Sequence, residues 1–333
     1  MHATARLLML CLLILAAGPV ACGPVTFVVG IGPGRQDLDS SVVHADEGRR
    51  LPRVALIDIS GVILNADRPR LLQQGENPVA LIHEQLEAAR HDPRVEAIVL
   101  RINSPGGTVT ASDAVHRQIQ RFREQTGKPV VALMMDVTAS GGYYVACAAD
   151  TIIAHPTSVT GSIGVVVQTF SVQPALNRWG IQTEAFTSGD NKLAGSPLTT
   201  LTDEHRAVLQ AMVDDFYEQF VDVVHAARPE LTDAGLDRVA DGRVVTGRDA
   251  VATGLADELG DIYHAFNRAK SLAGITHAEL VRYHRPLEHV ASPYAHAPGT
   301  AGHQGNITQI NLDQSLLAPA MPVGIYYLWR PDL

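Results

Sequence analysis

One serine stands where a nucleophile would be presented to a substrate. Ser140 lies between the strand-like run VVALMMDV and a run that begins with two glycines and continues with small and aromatic helix formers. A serine at a strand-to-helix junction keeps its hydroxyl displayed, and the backbone N–H of Gly141, at the positive end of the new helix, can face a developing oxyanion. A plain helix cap followed by packing glycines is the alternative, because serine is a preferred N-cap residue.

A nucleophilic serine needs a base, and the sequence offers two candidates. No G-x-S-x-G elbow occurs, and His155, at a strand end after Ser140, is the best-placed histidine. A lysine can replace histidine if burial lowers its pKa from about 10.4 toward roughly 7 to 8, so that a neutral amine accepts the serine proton. Lys192 is that candidate, since residues 193–195 could shield it from water, although a pairing with Asp190 would raise its pKa. On the residues alone, Lys192 can equally be a surface lysine.

The composition describes a folded protein that does not bind nucleic acid. The chain has 333 residues, of which 46% are hydrophobic and 18% charged, so one large or two modest domains can bury a core. The net charge of −9 and the lack of a basic run favour peptides or small molecules as ligands. The 14 histidines show no HExxH pair or other close metal-ligand spacing, so we predict neither a metal nor a cofactor.

The first residues predict export to the cell envelope. Residues 1–22 combine one arginine with an apolar run from Leu7 to Ala17, which is too short to cross a bilayer as a helix and typical of a signal peptide. Small residues before Cys22 indicate either lipidation of that cysteine or ordinary cleavage nearby. We predict a location on the periplasmic side of the membrane, and a linker over residues 23–50. Cys147, the cysteine left in the folded part, is predicted to be a core residue.

Alternating strands and helices must position Ser140. Buried strands are predicted at residues 54–59 and 97–102 and before Ser140, with helices between them, which indicates parallel pairing in an α/β fold. Active groups in such sheets gather beyond the carboxyl ends of the strands. The NSPGG loop at Asn103–Gly107 and the TASGG loop around Ser140 both follow strands, so we expect them to be neighbours.

Several further elements are predicted along the chain. Helices should begin at the caps Asn77, Ser112 and Thr202, and the last should run to Ala227 with an apolar face for core or subunit packing. VVVQTF and TEAFT read as strands. Residues 286–333 are predicted to be a flexible tail, whose apolar end VGIYYLW could be a terminal strand, a partner site or a segment lying in a peptide groove.

A set of motifs in order, from about Val54 to Ala273, resembles the signal peptide peptidase A family of bacterial Ser/Lys proteases. The motifs are INSPGG, TASGGYYVACAAD, TGSIGV, SGDNKLAGSP, the helix ending FVDVV, and DGRVVTGRDAVATGLADELG. The resemblance implies an α/β fold of the Clp-protease and crotonase-like type, a spiral of ββα units, in a peptidase domain over residues 51–285.

The resemblance also implies a role for each candidate residue. Ser140 would be the nucleophile, Lys192 the general base, and Ser162 of TGSIG the hydroxyl that orients the lysine amine. The backbone N–H groups of Gly107 and Gly141 would form the oxyanion hole. The reaction would be acyl transfer to the serine followed by hydrolysis.

The same resemblance implies the partners. Relatives of this length form ring-like homo-oligomers, with an octamer as the candidate here, in which the lysine reaches the serine of a neighbouring subunit. The implied substrates are signal peptide remnants and other unfolded apolar peptides at the membrane surface, bound extended along a strand edge. Two alternatives stay open: a crotonase-like acyl-CoA enzyme, which would share the fold and the oxyanion hole, and a non-catalytic envelope scaffold.

Overall fold

The computed structural model of the chain describes residues 38–67, 76–285, 292–295 and 325–329. The predicted signal peptide, with Cys22, lies outside these residues. None of the helices within these ranges is long and apolar enough to cross a membrane.

The described strands and helices follow the predicted α/β alternation. The strands are β1 (Asp39–Ala45), β2 (Arg53–Ser60), β3 (Val95–Ser104), β4 (Gly106–Thr108), β5 (Val130–Ala139), β6 (Thr151–Ala154), β7 (Val159–Gly161), β8 (Val244–Thr246), β9 (Glu258–Leu259), β10 (Glu279–His284) and β11 (Tyr326–Leu328). The helices are α1 (Pro78–His91), α2 (Val109–Thr126), α3 (Gly141–Ala146), α4 (Gln173–Arg178), α5 (Asp203–Ala227), α6 (Asp233–Asp237), α7 (Gly247–Thr253) and α8 (Ile262–Leu272), with a 3-10 helix at Asp190–Leu193.

A mostly parallel sheet carries the core. Its strand order is β1-β10-β2-β3-β5-β6-β9; beyond the end of β6, β7 pairs with the same edge of β5, and β8 pairs with β7. Strands β2, β3 and β5 are buried on both faces, by α1 and α2 on one side and by α8 on the other, which is why they read as continuous apolar runs. The predicted parallel pairing of these strands is confirmed.

Two of the three predicted helix caps are confirmed. The Asn77 side chain accepts hydrogen bonds from the first turn of α1, and the Thr202 hydroxyl caps α5. The cap at Ser112 is wrong: α2 begins at Val109, and the hydroxyl of Thr108 is its cap. The chain passes from β4 directly into the helix, so the first turn forms earlier than predicted and Ser112 is buried within it.

Both ends of the predicted domain differ from expectation. Residues 39–45 of the predicted linker form β1, which pairs antiparallel with β10. This is an edge strand with polar residues, so its sequence lacks a strong apolar pattern. Of the predicted flexible tail, the apolar end forms β11, paired with β4, which agrees with the terminal-strand alternative for this segment. VVVQTF and TEAFT form no regular strand, because this part of the chain has few neighbours to pair with and is largely exposed.

A buried charge cluster ties the end of the sheet together. The Arg101 guanidinium donates to Asp58 at 2.6 Å, and Arg282 donates to the same carboxylate. Both guanidinium groups also donate to backbone carbonyls, which belong to Pro293 and Ala295. All three charged side chains are almost fully buried, so the single carboxylate is the counter-charge for two guanidinium groups.

Asp58→Asn should destabilise the fold strongly. The substitution leaves two buried guanidinium groups without a counter-charge, and we expect a loss of about 3–5 kcal/mol in the free energy of unfolding, measured by urea denaturation. Glu87→Gln, which breaks an exposed ion pair with Arg90 on α1, is the control and should leave the urea midpoint nearly unchanged. Equal midpoints for the two variants would contradict this reading of the cluster.

Candidate active site

Ser140 occupies a strained turn between β5 and α3. Its backbone has φ 52° and ψ −118°, a conformation that side-chain-bearing residues rarely adopt. The turn is held by hydrogen bonds from the Ser140 N–H to Gly161 and from the Tyr144 N–H to the Ser140 carbonyl, at 2.8 and 2.9 Å. The hydroxyl makes no capping hydrogen bond. The plain helix-cap interpretation of this serine is therefore wrong.

Ser162 lies beside Ser140 and shares its backbone strain. Strands β5 and β7 pair in parallel with Ala139 opposite Gly161, so each serine is the residue that follows this pair. Ser162 has φ 50°. Among the described non-glycine residues, positive φ values occur at these two serines and at Arg50. The two serines predicted to act together are thus held at one end of the sheet, both in unfavourable conformations.

The two glycine loops meet next to Ser140, as their position after neighbouring strands predicted. A Cβ atom added to Gly141 would lie 3.1 Å from the Gly107 nitrogen, and one added to Gly106 would lie 2.8 Å from the Gly141 nitrogen. The Gly141 Cβ would also lie 2.4 Å from the hydroxyl oxygen of Ser112. Only glycines permit this approach, which brings the two predicted oxyanion donors, Gly107 and Gly141, to one place.

Lys192 lies on the 3-10 helix and is exposed. Its helix is attached to the start of α5, because the Asn191 amide donates to Glu204 and His205 binds the Asp190 carbonyl at 2.9 Å. Within the described part of the chain, the Lys192 ammonium makes no hydrogen bond or ion pair. The predicted shielding of Lys192 by residues 193–195 is not observed, since these residues are themselves only half-buried.

The other lysines are engaged elsewhere. The sequence contains lysine at positions 128, 192 and 270. Lys270 donates to Asp46 at 2.7 Å and lies over the Phe266 ring, and Lys128 donates to a backbone carbonyl of α1. Of the three, Lys192 is the lysine whose amine is available to a second molecule.

The remaining candidate residues have local roles. The His155 ring binds the Thr157 hydroxyl at 2.8 Å and makes no hydrogen bond to Ser140 among the described residues. Burial raises the pKa of the Cys147 thiol to about 12, so its predicted role as a core residue is confirmed.

Sequence reasoning missed an aromatic cluster behind the serine. Tyr144, four residues after Ser140, stacks on Tyr327 of β11, and both rings contact Phe220 of α5. The His116 ring also meets Tyr144 in an edge-to-face arrangement, with ring centroids 5.1 Å apart. Aromatic residues on a short helix are usually core residues, so they attract no attention in a sequence. The double tyrosine after SGG is the one sequence signal that could have indicated this cluster.

Two family models match the chain. The model of peptidase family S49 matches residues 122–276, which include Ser140, Ser162 and Lys192. The Clp protease model matches residues 55–160, which include Gly107 and Gly141. Together with the parallel sheet, the second match confirms the predicted Clp-protease and crotonase-like α/β fold.

Similar proteins come from several organisms. Protease 4 of Salmonella typhi is 35% identical over 231 residues, which are 69% of this chain and 36% of that protein. A candidate protease of Synechocystis, slr0021, is 33% identical over 67% of this chain and 75% of its own length. A candidate signal peptide peptidase SppA of Enterococcus faecium is 28% identical over 75% and 72%. The chain thus spans about a third of Protease 4 and most of the two shorter relatives.

The strain at Ser140 predicts an order of stability between two variants that both lack the hydroxyl. Ser140→Gly should be more stable than Ser140→Ala by about 1 kcal/mol, because glycine adopts positive φ without steric cost. Urea denaturation of the two variants side by side measures the difference. An alanine variant as stable as the glycine variant would show that the turn is relaxed.

His116 predicts a pH-dependent loss of stability. Burial lowers the pKa of His116 to about 4, whereas the unfolded chain titrates near 6.5. Above pH 6.5 both states are neutral; as the pH falls from 6.5 to 4, the unfolded state gains the proton first and stability is lost, by about 3 kcal/mol at most. The His116→Phe variant should not show this loss of stability. The check is to measure the free energy of unfolding of the wild type and of the variant between pH 6.5 and 4 and to compare how each changes. Parallel pH curves for the two proteins would contradict it.

Proposed function

Because the chain belongs to the signal peptide peptidase A family of S49 serine peptidases, we propose that it is an endopeptidase that works through a Ser140/Lys192 dyad. The observation that carries the proposal is the strained Ser140 turn, which sets an uncapped hydroxyl beside the converging backbone amides of Gly107 and Gly141. Such a turn presents a nucleophile and stabilises an oxyanion at the same point.

The proposed reaction is an acyl transfer. The neutral Lys192 amine takes the Ser140 proton as the hydroxyl oxygen attacks the substrate carbonyl carbon, and the two amides stabilise the oxyanion. The carbon–nitrogen bond then breaks, and the amine leaves with the proton from the lysine. Water, activated by the same amine, adds to the ester and releases the acid and the serine. Ser162 is proposed to orient the amine.

We propose that the lysine acts on the serine of a neighbouring subunit. The stretch that carries Lys192, here called the lysine arm (residues 167–201), is largely exposed and displays large apolar side chains. Phe186 is 97% and Trp179 75% exposed. The first half of α5 is also poorly covered, with Met212 39% exposed. Apolar surface of this kind marks a protein–protein contact, and a neighbour packed against it would remove Lys192 from water.

The proposed substrates are extended apolar peptides, including signal peptide remnants in the cell envelope. Support comes from the relative named as a signal peptide peptidase. Export through residues 1–22, attachment near the membrane surface through Cys22, and a ring of eight subunits are parts of the same proposal, and they rest on the sequence.

Ser140→Ala and Lys192→Ala should each abolish peptide hydrolysis, with losses of at least 10³-fold in kcat/KM, because one removes the nucleophile and the other its base. Lys128→Ala is the matched control and should hydrolyse a fluorogenic apolar peptide at the wild-type rate. Full activity in both dyad variants would contradict the mechanism.

Mixing the two inactive variants tests the contribution of the neighbour. Subunits of Ser140→Ala and Lys192→Ala, dissociated and reassembled together, should form complete sites at about a quarter of the positions in a randomly mixed ring. Recovery of activity on mixing supports a dyad shared between subunits. No recovery, when co-purification of differently tagged variants shows mixed oligomers, would place the lysine within its own subunit.

A further inference from the structure

The 3-10 helix that carries Lys192 is attached to the first turn of α5. His205, in that turn, is only 6% exposed, and its ring binds the Asp190 carbonyl through Nε2 at 2.9 Å. The neighbouring Glu204 accepts a hydrogen bond from the side-chain amide of Asn191, also at 2.9 Å. Both bonds end on the two residues that directly precede Lys192. The first turn of α5 therefore determines where the 3-10 helix, and with it the lysine, is held.

The hydrogen bonds of the His205 ring fix the position of its proton. The Thr202 N–H donates to Nδ1 at 3.4 Å, so this nitrogen is an acceptor and carries no proton. A neutral imidazole has one donor and one acceptor nitrogen, so Nε2 carries the proton that the Asp190 carbonyl accepts. The ring thus makes two bonds of opposite sense. The bond at Nδ1 belongs to the cap of α5, and the bond at Nε2 belongs to the lysine arm.

The cap of α5 does not by itself require a histidine. The Thr202 hydroxyl accepts from the His205 N–H at 3.1 Å, and the ring accepts from the Thr202 N–H in return, which completes a capping box. Glutamate and glutamine are the usual residues at this position of a capping box, and a carboxylate there also suits the positive end of the helix. Donation to the Asp190 carbonyl is different, because it needs a proton that glutamate lacks.

Helix α5 also contacts the helix that follows the nucleophile. Phe220 of α5 is fully buried, and its ring meets that of Tyr144 in α3 with centroids 5.1 Å apart. The Tyr144 N–H in turn donates to the Ser140 carbonyl at 2.9 Å. One continuous helix therefore contacts the 3-10 helix near its start and the serine turn further along, which holds the two at a fixed separation. In the proposed ring, every subunit then presents its lysine in the same place.

Resting on the proposed Ser140/Lys192 peptidase function, we propose that His205 is a positioning residue for the general base. Its neutral ring holds the Asp190 carbonyl, and with it the 3-10 helix, at the place from which the lysine amine reaches a serine. The Lys192 ammonium makes no hydrogen bond or ion pair within the described part of the chain, so the attachment of its backbone positions it. His205 contacts neither the substrate nor the reacting atoms and acts through the lysine.

Two substitutions at position 205 separate positioning from capping. His205→Glu keeps an acceptor for the capping box but sets a carboxylate oxygen against the Asp190 carbonyl with no proton between them. His205→Gln has an acceptor and a donor on one planar group, as the neutral ring has. For a fluorogenic apolar peptide, the glutamate variant should lose between about tenfold and a hundredfold in kcat, with KM within about twofold, because a misplaced base slows the chemical step. The glutamine variant should keep kcat within about threefold of the wild type.

Control variants separate this effect from a loss of folding. His83→Glu makes the same change at an exposed histidine of α1 and should hydrolyse the peptide at the wild-type rate. Urea denaturation should give the two variants at position 205 nearly the same midpoint, because both keep the cap of α5. Asn191→Ala, at an exposed position, removes the second bond of the attachment and should also lower kcat with KM unchanged. It tests the proposal even where the glutamate variant does not fold.

The outcomes separate this inference from the function on which it rests. A wild-type kcat in a folded His205→Glu variant or in Asn191→Ala, or an equal loss of kcat in His205→Gln, would overturn the inference. The peptidase function then stands if Ser140→Ala and Lys192→Ala are still inactive. If no peptide is hydrolysed in a Ser140-dependent way, the proposed function itself is wrong.

Discussion

The site depends on the end of β5, where one strand pairs on both sides. Thr138 is opposite Ser104 of β3 on one edge and opposite Thr160 of β7 on the other. Its hydroxyl donates to the Ile102 carbonyl at 2.8 Å, and its own carbonyl accepts from the Thr160 hydroxyl at 2.6 Å. These buried bonds fix three chain segments at once. The Gly107 loop, the Ser140 turn and Ser162 are all positioned by this junction.

Much of this arrangement was predictable because it is local or set by strand order. Continuous apolar runs identified the central strands, and the rule that parallel strands share a carboxyl edge brought the loops around Gly107 and Ser140 together. The start of α2 was misplaced because Thr108 and Ser112 are both good caps, and the direct exit from β4 decides between them. The edge strand β1 was missed because an edge strand can be polar on both faces.

The parts that could not be predicted depend on distant contacts. The aromatic cluster of Tyr144, Phe220 and Tyr327 is assembled from α3, α5 and β11, and nothing in the spacing of the sequence links Tyr144 to Phe220. Lys192 was expected to be shielded by its sequence neighbours, but the lysine arm leaves it exposed. In the proposed oligomer its environment would be set by the neighbouring subunit, and a single chain does not contain that information.

The buried charge cluster at Asp58 has a consequence for the end of the chain. By fixing the backbone at Pro293 and Ala295, it anchors the polypeptide that leads to β11. Loss of the Asp58 carboxylate would therefore release both of these carbonyl groups together with the two guanidinium groups.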